Sequence, residues 1–203
     1  MDATGTATRS RTQDQRREAT TRALLDAARA LFARDGYATT SLDAVVARAG
    51  VTKGALYHHF DGKRELFEAV FAAELERLTG ELVAAFGRAA DPWEGLRAAC
   101  RSFLDATTEP ALRQIVLVDS FGALGFAAVR EAEAPLLGAL REALRLSMDA
   151  GRLPRRAPEP LAALLFGGLC EAALTTARAD DERATHRAVA AELDRLLDAL
   201  AAG

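Results

Sequence analysis

Apolar residues recur at helical spacing along almost the whole chain. Within residues 24–31 they fall at i, i+3, i+4 and i+7, and the run stops before Gly36, a residue typical of the position just after a helix. Two short helical segments follow, residues 42–49 and residues 53–59, and Thr52 can cap the second of them. No strand pattern, internal repeat or glycine-rich phosphate loop interrupts the sequence of helical segments. The pattern predicts an all-α chain.

Longer helices are predicted for the rest of the chain, about nine helices in total. In chain order they run from a cap at Asp61 to about Gly87, from Asp91 to about Ala106, from Pro110 to about Phe121, over 126–150 with a kink or restart at Pro135, and over 161–179 and 182–201. Residues 122–125, which contain two glycines, are expected to form a loop. The later turns of the helix after Asp61 carry Phe71, Leu75 and Leu78, which are expected in a hydrophobic core.

Charge divides the chain into two parts of opposite sign. Residues 1–65 hold eleven Lys and Arg against eight Asp and Glu, whereas residues 66–203 hold fifteen against twenty-one. The net charge of −3 therefore conceals an N-terminal part at +3 and a remainder at −6. A basic end suits a polyanion such as DNA, which the acidic remainder repels.

Composition excludes several classes of protein. Half of the 203 residues are apolar and 27% are charged, which favours a soluble protein with its own core over a disordered chain. No window approaches ~20 uninterrupted apolar residues and residues 1–8 are polar, so neither a membrane partner nor a signal peptide is expected and the location is predicted to be cytoplasmic. Cys100 and Cys170 are the only two cysteines and have no neighbouring His or Cys at ligand spacing, which is not the pattern of a disulfide framework or a zinc site, and no metal or cofactor is expected.

Residues 39–63 have the organisation of a helix-turn-helix. Two short helices flank the turn 50–52, and in such motifs the second helix enters the major groove of DNA. On that second helix Leu56 and Phe60 can face the first helix. The opposite face carries Lys53, Gly54, Tyr57 and His58. This outer face suits DNA because a glycine lets the backbone approach closely, while lysine and tyrosine offer donors to phosphates and base edges.

The same stretch contains a specific series of short motifs. They are the threonine pair 39–40, an Ala-Gly-Val turn, a Lys-Gly opening of the second helix, a Leu-Tyr pair leading to His-Phe, and a final Lys-Arg-Glu-Leu. In these features residues 39–66 resemble the DNA-binding domain of TetR-type transcriptional repressors. The resemblance implies a homodimer with a three-helix DNA-binding head at residues 14–62. It also implies a helical body at residues 63–203 that binds an inducer and dimerises through its last two helices.

Carried over by position, the resemblance assigns DNA contacts to the helix-turn-helix. Contacts to the DNA backbone fall on Thr40, Lys53, Tyr57, His59 and Lys63, and positions near bases fall on Ser41, Gly54 and His58. Thr52, which can cap the second helix, completes the predicted DNA-binding set. The operator sequence does not transfer, because base-reading positions vary within the family. Taken singly, Tyr57 is more often a core residue, and the two histidines more often face solvent or cap a helix. Residues 1–13 are expected to be a flexible tail, whose Arg9 and Arg11 either reach a minor groove or are merely solvated.

Residues of the body are assigned by their apolar character and position. The expected dimer interface comprises Leu161, Leu165, Gly168, Ala172, Leu193, Leu196, Leu197 and Leu200. The candidate effector pocket comprises Trp93, Phe103, Val116, Asp119, Phe121, Phe126, Phe166 and Cys170. Both sets have the alternative that they pack inside one subunit as plain core. Asp119 stands out because an unpaired carboxylate next to an apolar run is expensive to bury, although it can also cap a helix or face solvent.

The sequence therefore predicts a dimeric DNA-binding transcriptional regulator, released from an inverted-repeat operator by a small, mostly apolar effector. One alternative is a DNA-binding dimer without any small-molecule effector. The other is a helical enzyme, which would need a nucleophile–base pair, a metal set or a phosphate loop. No such constellation occurs, and the glycine at position 62 lacks the preceding strand and glycine of a phosphate loop. Enzymatic activity is not expected.

Overall fold

The computed structural model describes residues 4–202, with side chains from Asp14 onward, and this part of the chain forms ten helices without a strand. They are α1 (Thr4–Thr39), α2 (Leu42–Ala49), α3 (Lys53–His59), α4 (Lys63–Gly87), α5 (Pro92–Ala106), α6 (α-helical at Pro110–Leu112, π-helical at Arg113–Asp119 and α-helical again at Ser120–Leu124), α7 (Phe126–Ala132), α8 (Ala134–Asp149), α9 (Pro158–Ala177) and α10 (Glu182–Ala202). The all-α prediction is confirmed.

The first helix is longer than the sequence indicated. It begins at Thr4, within the segment expected to be a flexible tail. Residues 1–3 and the side chains of Arg9 and Arg11 lie outside the described part of the chain. Near the other end the helical backbone breaks at Gly36 (φ 78°, ψ 164°), where the apolar pattern had placed the end of the helix.

Two local predictions were wrong, and tertiary contacts explain the first. Most of the expected loop 122–125 is helical, because Leu124 is buried in the core and holds the last turn of α6 in place; only Gly125 (φ 84°) breaks the helix. Asp61 does not cap α4: Gly62 occupies the cap position without a side-chain bond, and the Glu65 carboxylate instead accepts the main-chain N–H of Asp61 at 2.5 Å. The expected restart at Pro135 is confirmed, since α8 begins one residue earlier.

Helices α1 to α3 share one apolar core with the start of α4. The buried side chains of this head are Leu24, Ala27, Ala28, Leu31, Phe32, Val45, Leu56 and Phe60. Phe67 of α4 closes the core, with its ring edge-on to Phe32 at 5.1 Å and to Tyr37 at 4.9 Å between centroids. Aromatic pairs in this arrangement contribute ~0.5–1.5 kcal/mol beyond the area that they bury. The first turns of α4 are therefore part of the head.

The body is built around α4 and α5, which make the most extensive contact of any two helices in the described part of the chain. The expected core positions Phe71, Leu75 and Leu78 of α4 are buried. By length and composition alone α9 could cross a membrane, but it carries two glutamates and packs against α5, α8 and α10. The core helix of a soluble protein passes the same test, so one such helix is weak evidence for a membrane span.

Candidate DNA interface and effector cavity

Side-chain caps and a tight turn shape the helix-turn-helix. The Ser41 hydroxyl accepts the N–H of Ala44 at 3.2 Å at the start of α2, and the Thr52 hydroxyl accepts the N–H of Ala55 at 3.2 Å at the start of α3. Between them Gly50 takes a left-handed conformation (φ 67°) that ends α2 and turns the chain. These local bonds satisfy main-chain N–H groups that the first turn of a helix leaves unpaired.

The outer face of α3 is open to solvent, as the sequence predicted. Tyr57 is 50% exposed, and Gly54 and His58 are exposed beside it. The Lys53 ammonium lies 2.7 Å from Oδ1 of Asp43, and this ion pair raises the pKa of the lysine. Tyrosine, lysine and histidine donors thus occupy the side of α3 opposite its buried Leu56.

Thr40 differs from its expected role. Its side chain is 4% exposed and its hydroxyl donates to the main-chain oxygen of Gly36 at 2.8 Å, so it stabilises the end of α1. The sequence predicted that this hydroxyl contacts a DNA phosphate. Its burial and its bond to the end of α1 correct that prediction. The same carbonyl also accepts the main-chain N–H of Thr40 at 3.3 Å, and bonding of a threonine hydroxyl to the carbonyl four residues earlier is common in helices.

His59 and Lys63 are half-buried at the edge of the same surface. Nδ1 of His59 lies 3.0 Å from the Thr21 hydroxyl, and burial, followed by the charges of His58 and Arg17, lowers the pKa of His59. Nζ of Lys63 donates to the main-chain oxygen of Ala38 at 3.0 Å and lies 4.5 Å from the centre of the Tyr37 ring. Both side chains thereby tie the helix-turn-helix to α1.

A cavity of about 210 Å³ lies in the body between α4, α5, α8 and α9. Its lining comprises Thr79, Leu82, Val83, Phe86, Leu96, Ala99, Cys100, Phe103, Leu136, Ala139, Leu140, Glu142, Ala143, Leu146, Phe166 and Leu169. Of the eight residues predicted for the effector pocket, Phe103 and Phe166 line it, with ring centroids 6.0 Å apart. Burial raises the pKa of the Cys100 thiol to about 12, so it is a protonated wall group and not a reactive thiolate.

The other six pocket candidates do not line this cavity. Trp93 and Val116 are buried, and Cys170 is partly buried against the core, its pKa raised to about 12 by burial. Phe121 and Phe126 stack on each other at 6.0 Å on the protein surface, where they are 42% and 69% exposed. The Asp119 carboxylate faces the head and accepts the main-chain N–H of Tyr37 at 2.7 Å. These placements correct the sequence prediction.

Most of the cavity wall lies outside the residues predicted from the sequence. Its contributions from α4 and α8 were not anticipated, nor were Ala99 and Cys100 of α5. One available signal was the pair Ala139 and Ala143, small residues one turn apart on an otherwise leucine-rich face of α8. Small side chains on a buried helical face leave space that larger neighbours must fill or enclose.

A groove of about 790 Å³ runs along α9 and α10, which were the helices expected to dimerise. Leu164, which sequence reasoning missed, and Leu196 are 74% and 53% exposed there, and Gly168 is open beside them. Leu161, Ala172 and Leu200 are half-buried. Leu165 and Leu193 are buried and contribute only to the floor of the groove. Leu197 is fully buried within the subunit, which corrects its assignment to an interface surface.

An ionic cluster joins the head to the body. Glu74 of α4 is 4% exposed and lies 2.6 Å from Nε of Arg29 on α1 and 3.0 Å from Arg77. The same two arginines reach Glu109, at the start of α6, at 2.5 Å and 2.7 Å. Each carboxylate is therefore shared by two guanidinium groups from different helices or turns, which satisfies the buried charge of Glu74.

Two family profiles together account for most of the chain. Residues 24–70 match the bacterial regulatory proteins of the tetR family, and residues 93–200 match the tetracyclin repressor-like C-terminal domain. This chain belongs to the TetR family of transcriptional regulators. The head of this TetR-family protein, α1 to α3 with the start of α4, coincides with the first match, and α5 to α10 coincide with the second.

Individual TetR-family proteins show the same relationship. The HTH-type transcriptional regulator SrpR of Pseudomonas putida is 31% identical over 142 residues, which are 68% of this chain and 65% of SrpR, so the match spans less than two thirds of that relative. A TetR-family transcriptional regulator from Pectobacterium atrosepticum is 34% identical, with a TM-score of 0.81 over 93% of this chain and 97% of that one. FadR from Bacillus subtilis, solved in complex with stearoyl-CoA, is 18% identical and shares the fold, with a TM-score of 0.75 over 89% and 97% of the chains.

Proposed function

We propose that this TetR-family regulator binds an inverted-repeat operator as a homodimer, represses transcription from it in the cytoplasm, and releases it when a small, mostly apolar effector enters the body. The observation that carries the proposal is that one rigid helix, α4, belongs to both sites. Its first residue, Lys63, lies against the head, and its later turns line the cavity. We propose residues 14–62 as the DNA-binding domain and residues 63–203 as the effector-binding and dimerisation domain, with the first turns of α4 completing the core of the head.

On the DNA side, the exposed face of α3 is the proposed recognition surface. Tyr57, Lys53 and His58 supply hydrogen-bond donors, and Gly54 lets the backbone of α3 approach the groove. Ser41 and Thr52 lie at the N-termini of α2 and α3, where helix dipoles and free N–H groups favour a phosphate. Lys63 and His59 are proposed to contact phosphates at the rim.

The proposed dimer forms through the groove of α9 and α10. Leu164 and Leu196 are large apolar side chains left open to solvent there, and the open Gly168 allows a second helix to pack closely. A two-fold axis through this face makes the interface self-complementary and places two copies of α3 on the same side of DNA. Half-sites related by the same symmetry are expected in the operator.

The coupling between the sites is proposed to run through α4. At ~1.5 Å per residue its 25 residues span about 37 Å, so a small tilt at the cavity end displaces Lys63 and α3 at the other end. Coupling free energy is reciprocal. An effector that weakens operator binding tenfold must itself bind about tenfold more weakly to the operator complex.

The proposal is tested by selecting bound sequences from random duplex DNA and measuring affinity for the selected site by fluorescence anisotropy. We expect an inverted repeat and an affinity that falls steeply with salt, because phosphate contacts release counterions. Sites without symmetry, or affinity independent of salt, would contradict it. The alternative of a DNA-binding dimer without an effector is favoured if no compound that stabilises the protein against heat changes its affinity for the operator.

A further inference from the structure

The walls of the effector cavity are almost entirely hydrocarbon. Among its sixteen lining residues, all in the described part of the chain, only Thr79 and Glu142 carry a hydroxyl or a formal charge, and none is lysine, arginine or histidine. The one further polar atom is the protonated thiol of Cys100. A bound molecule therefore meets few hydrogen-bond partners there.

The charged residue of the lining lies at the mouth of the cavity, and apart from the Cys100 thiol the buried part of the wall is hydrocarbon. Leu96, Phe103 and Leu169 of the floor are each buried. By contrast, Val83 of α4 is 54% exposed and Glu142 of α8 is exposed, so the cavity opens between these two helices. A ligand must place its apolar part inside and any polar group towards this opening, because an unpaired polar group on the floor loses its hydration without compensation.

Charge at the mouth disfavours anions. The Glu142 carboxylate accepts two hydrogen bonds from Arg145, at 2.6 and 2.8 Å, and these bonds lower the pKa of Glu142, so it stays ionised at neutral pH. Arg145 is itself shared with Asp149 at 2.5 Å and is thus matched by two carboxylates. Recognition of a carboxylate or phosphate requires cationic donors that are available to it, and the cavity lining supplies none.

The volume limits the size of the ligand. An apolar protein cavity of ~150 Å³ holds a benzene molecule, so a cavity of this kind with about 210 Å³ holds roughly eight to ten non-hydrogen atoms. Three alanines, Ala99, Ala139 and Ala143, form part of the wall, and any larger side chain at these positions would occupy the space.

We infer that the effector is a compact, uncharged molecule with an aromatic or branched apolar body and one hydroxyl-type group that lies at the mouth beside Thr79 and Glu142. The inference rests on the proposed function for the location of the effector and adds its chemical class. Carboxylates of the same size and coenzyme A thioesters are excluded from the class by the charge at the mouth and by the small volume.

The matched probes are benzyl alcohol, benzoate and isovaleryl coenzyme A, each titrated calorimetrically at pH 7 into the full chain. We expect benzyl alcohol to bind and benzoate to bind at least about tenfold more weakly. Isovaleryl coenzyme A should not compete with benzyl alcohol for the cavity. Glu142→Gln removes the charge at the mouth and should reduce the difference in affinity between benzyl alcohol and benzoate. The inference is overturned if benzoate or the thioester binds as tightly as the alcohol, or if benzyl alcohol does not bind.

A cavity-filling variant locates the binding. Ala139→Phe places a ring in the cavity and should abolish binding of benzyl alcohol, whereas Ala84→Phe, on an exposed position of α4 outside the lining, should leave it unchanged. Retained binding in Ala139→Phe would show that the alcohol binds elsewhere and would refute the assignment. Operator affinity measured alongside separates the two proposals. If benzyl alcohol binds but does not release DNA, only the proposed function is contradicted. If the thioester releases DNA and benzyl alcohol does not, only the ligand class is contradicted.

Discussion

The main-chain N–H of Tyr37 donates to Oδ2 of Asp119 at 2.7 Å, a bond between the last turn of α1 and the π-helical part of α6. A few residues later the carbonyl of Leu124, at the end of α6, accepts a hydrogen bond from Arg64 in the first turn of α4 at 2.9 Å. The residues that bond to α6 here are Tyr37 and Arg64, and both lie in the DNA-binding head or at its border. The orientation of the head therefore depends on α6 as well as on α4.

Asp119→Ala should loosen this junction. A hydrogen bond to a charged group contributes ~1.5–3 kcal/mol, so we expect a loss of about 1–2 kcal/mol in the free energy of unfolding at this half-buried site, and a smaller response of operator affinity to the effector. Urea unfolding and operator titrations with and without benzyl alcohol measure the two effects. Asp180→Ala, at an exposed position, is the matched control. An Asp119→Ala variant with unchanged stability would show that the bond is not significant.

Two variants of the proposed DNA-facing surface should change DNA binding in opposite directions, one at Tyr57 and one at the Lys53–Asp43 ion pair. Tyr57→Ala removes an exposed donor from α3 and should weaken operator binding without unfolding the protein. Asp43→Ala should strengthen operator binding, because it removes a carboxylate from the DNA-facing surface and leaves Lys53 available for a phosphate. Anisotropy titrations at several salt concentrations provide the measurement, and Lys63→Ala should reduce the salt slope by ~1. Weaker operator binding in Asp43→Ala would contradict this prediction and would show that the Asp43 carboxylate helps to position Lys53 for DNA.

Assembly is tested at exposed positions of the α9–α10 groove. Leu164→Asp and Gly168→Arg should each give monomers that keep their fold, since these positions are open to solvent in one subunit, and operator affinity should fall with dimerisation. Leu165→Asp is a poor test because its 5% exposed side chain would unfold the subunit. Sedimentation equilibrium gives the mass, and Ala84→Asp, at an exposed position of α4 outside both the groove and the cavity, is the control. Unchanged dimers in both groove variants would refute this interface.

Stability should fall in acid through the ionic cluster at Glu109. Burial raises the pKa of Glu109, but hydrogen bonds and charges from Arg29 and Arg77 outweigh it, and the net pKa lies below the ordinary value of 4.5. A carboxylate whose pKa is lower in the folded state adds stability that is present at neutral pH and is lost as the pH falls through the folded pKa. Chemical unfolding between pH 3 and 7 measures the slope. Glu109→Gln should flatten it below about pH 4.5; an identical slope in this variant would assign the effect to other carboxylates.

The crossing of α4 and α5 predicts a contrast between two glycines. A Cβ atom at Gly95 would lie 2.9 Å from the main-chain oxygen of Phe86, so Gly95→Ala must push the helices apart and should cost about 1–3 kcal/mol. Gly80 has nothing within 4 Å of the same position, and Gly80→Ala should stabilise the helix by roughly 0.5–1 kcal/mol. Thermal unfolding of the two variants measures both effects. Equal shifts in the melting temperature would contradict the close approach.

The sequence by itself determined the features that depend on neighbours in the chain. The helix-turn-helix, the Thr52 cap, the start of α8 near Pro135 and the exposed face of α3 follow from spacings of a few residues, because helical periodicity and capping are local. The family resemblance rested on the same local stretch. That stretch includes Lys53, Tyr57 and His58, all of which are exposed where the motif placed them.

The tertiary structure alone decided which apolar residues enclose a cavity and which simply fill the core. Phe103 and Trp93 are both buried aromatic residues of one helix, but only Phe103 meets a gap left by alanines of α8. Asp119 likewise reads in the sequence as a possible ligand contact, and its partner is the main chain of Tyr37, 82 positions away. Such outcomes depend on which surfaces approach from distant parts of the chain, and a one-dimensional pattern of apolar and polar residues does not contain that information.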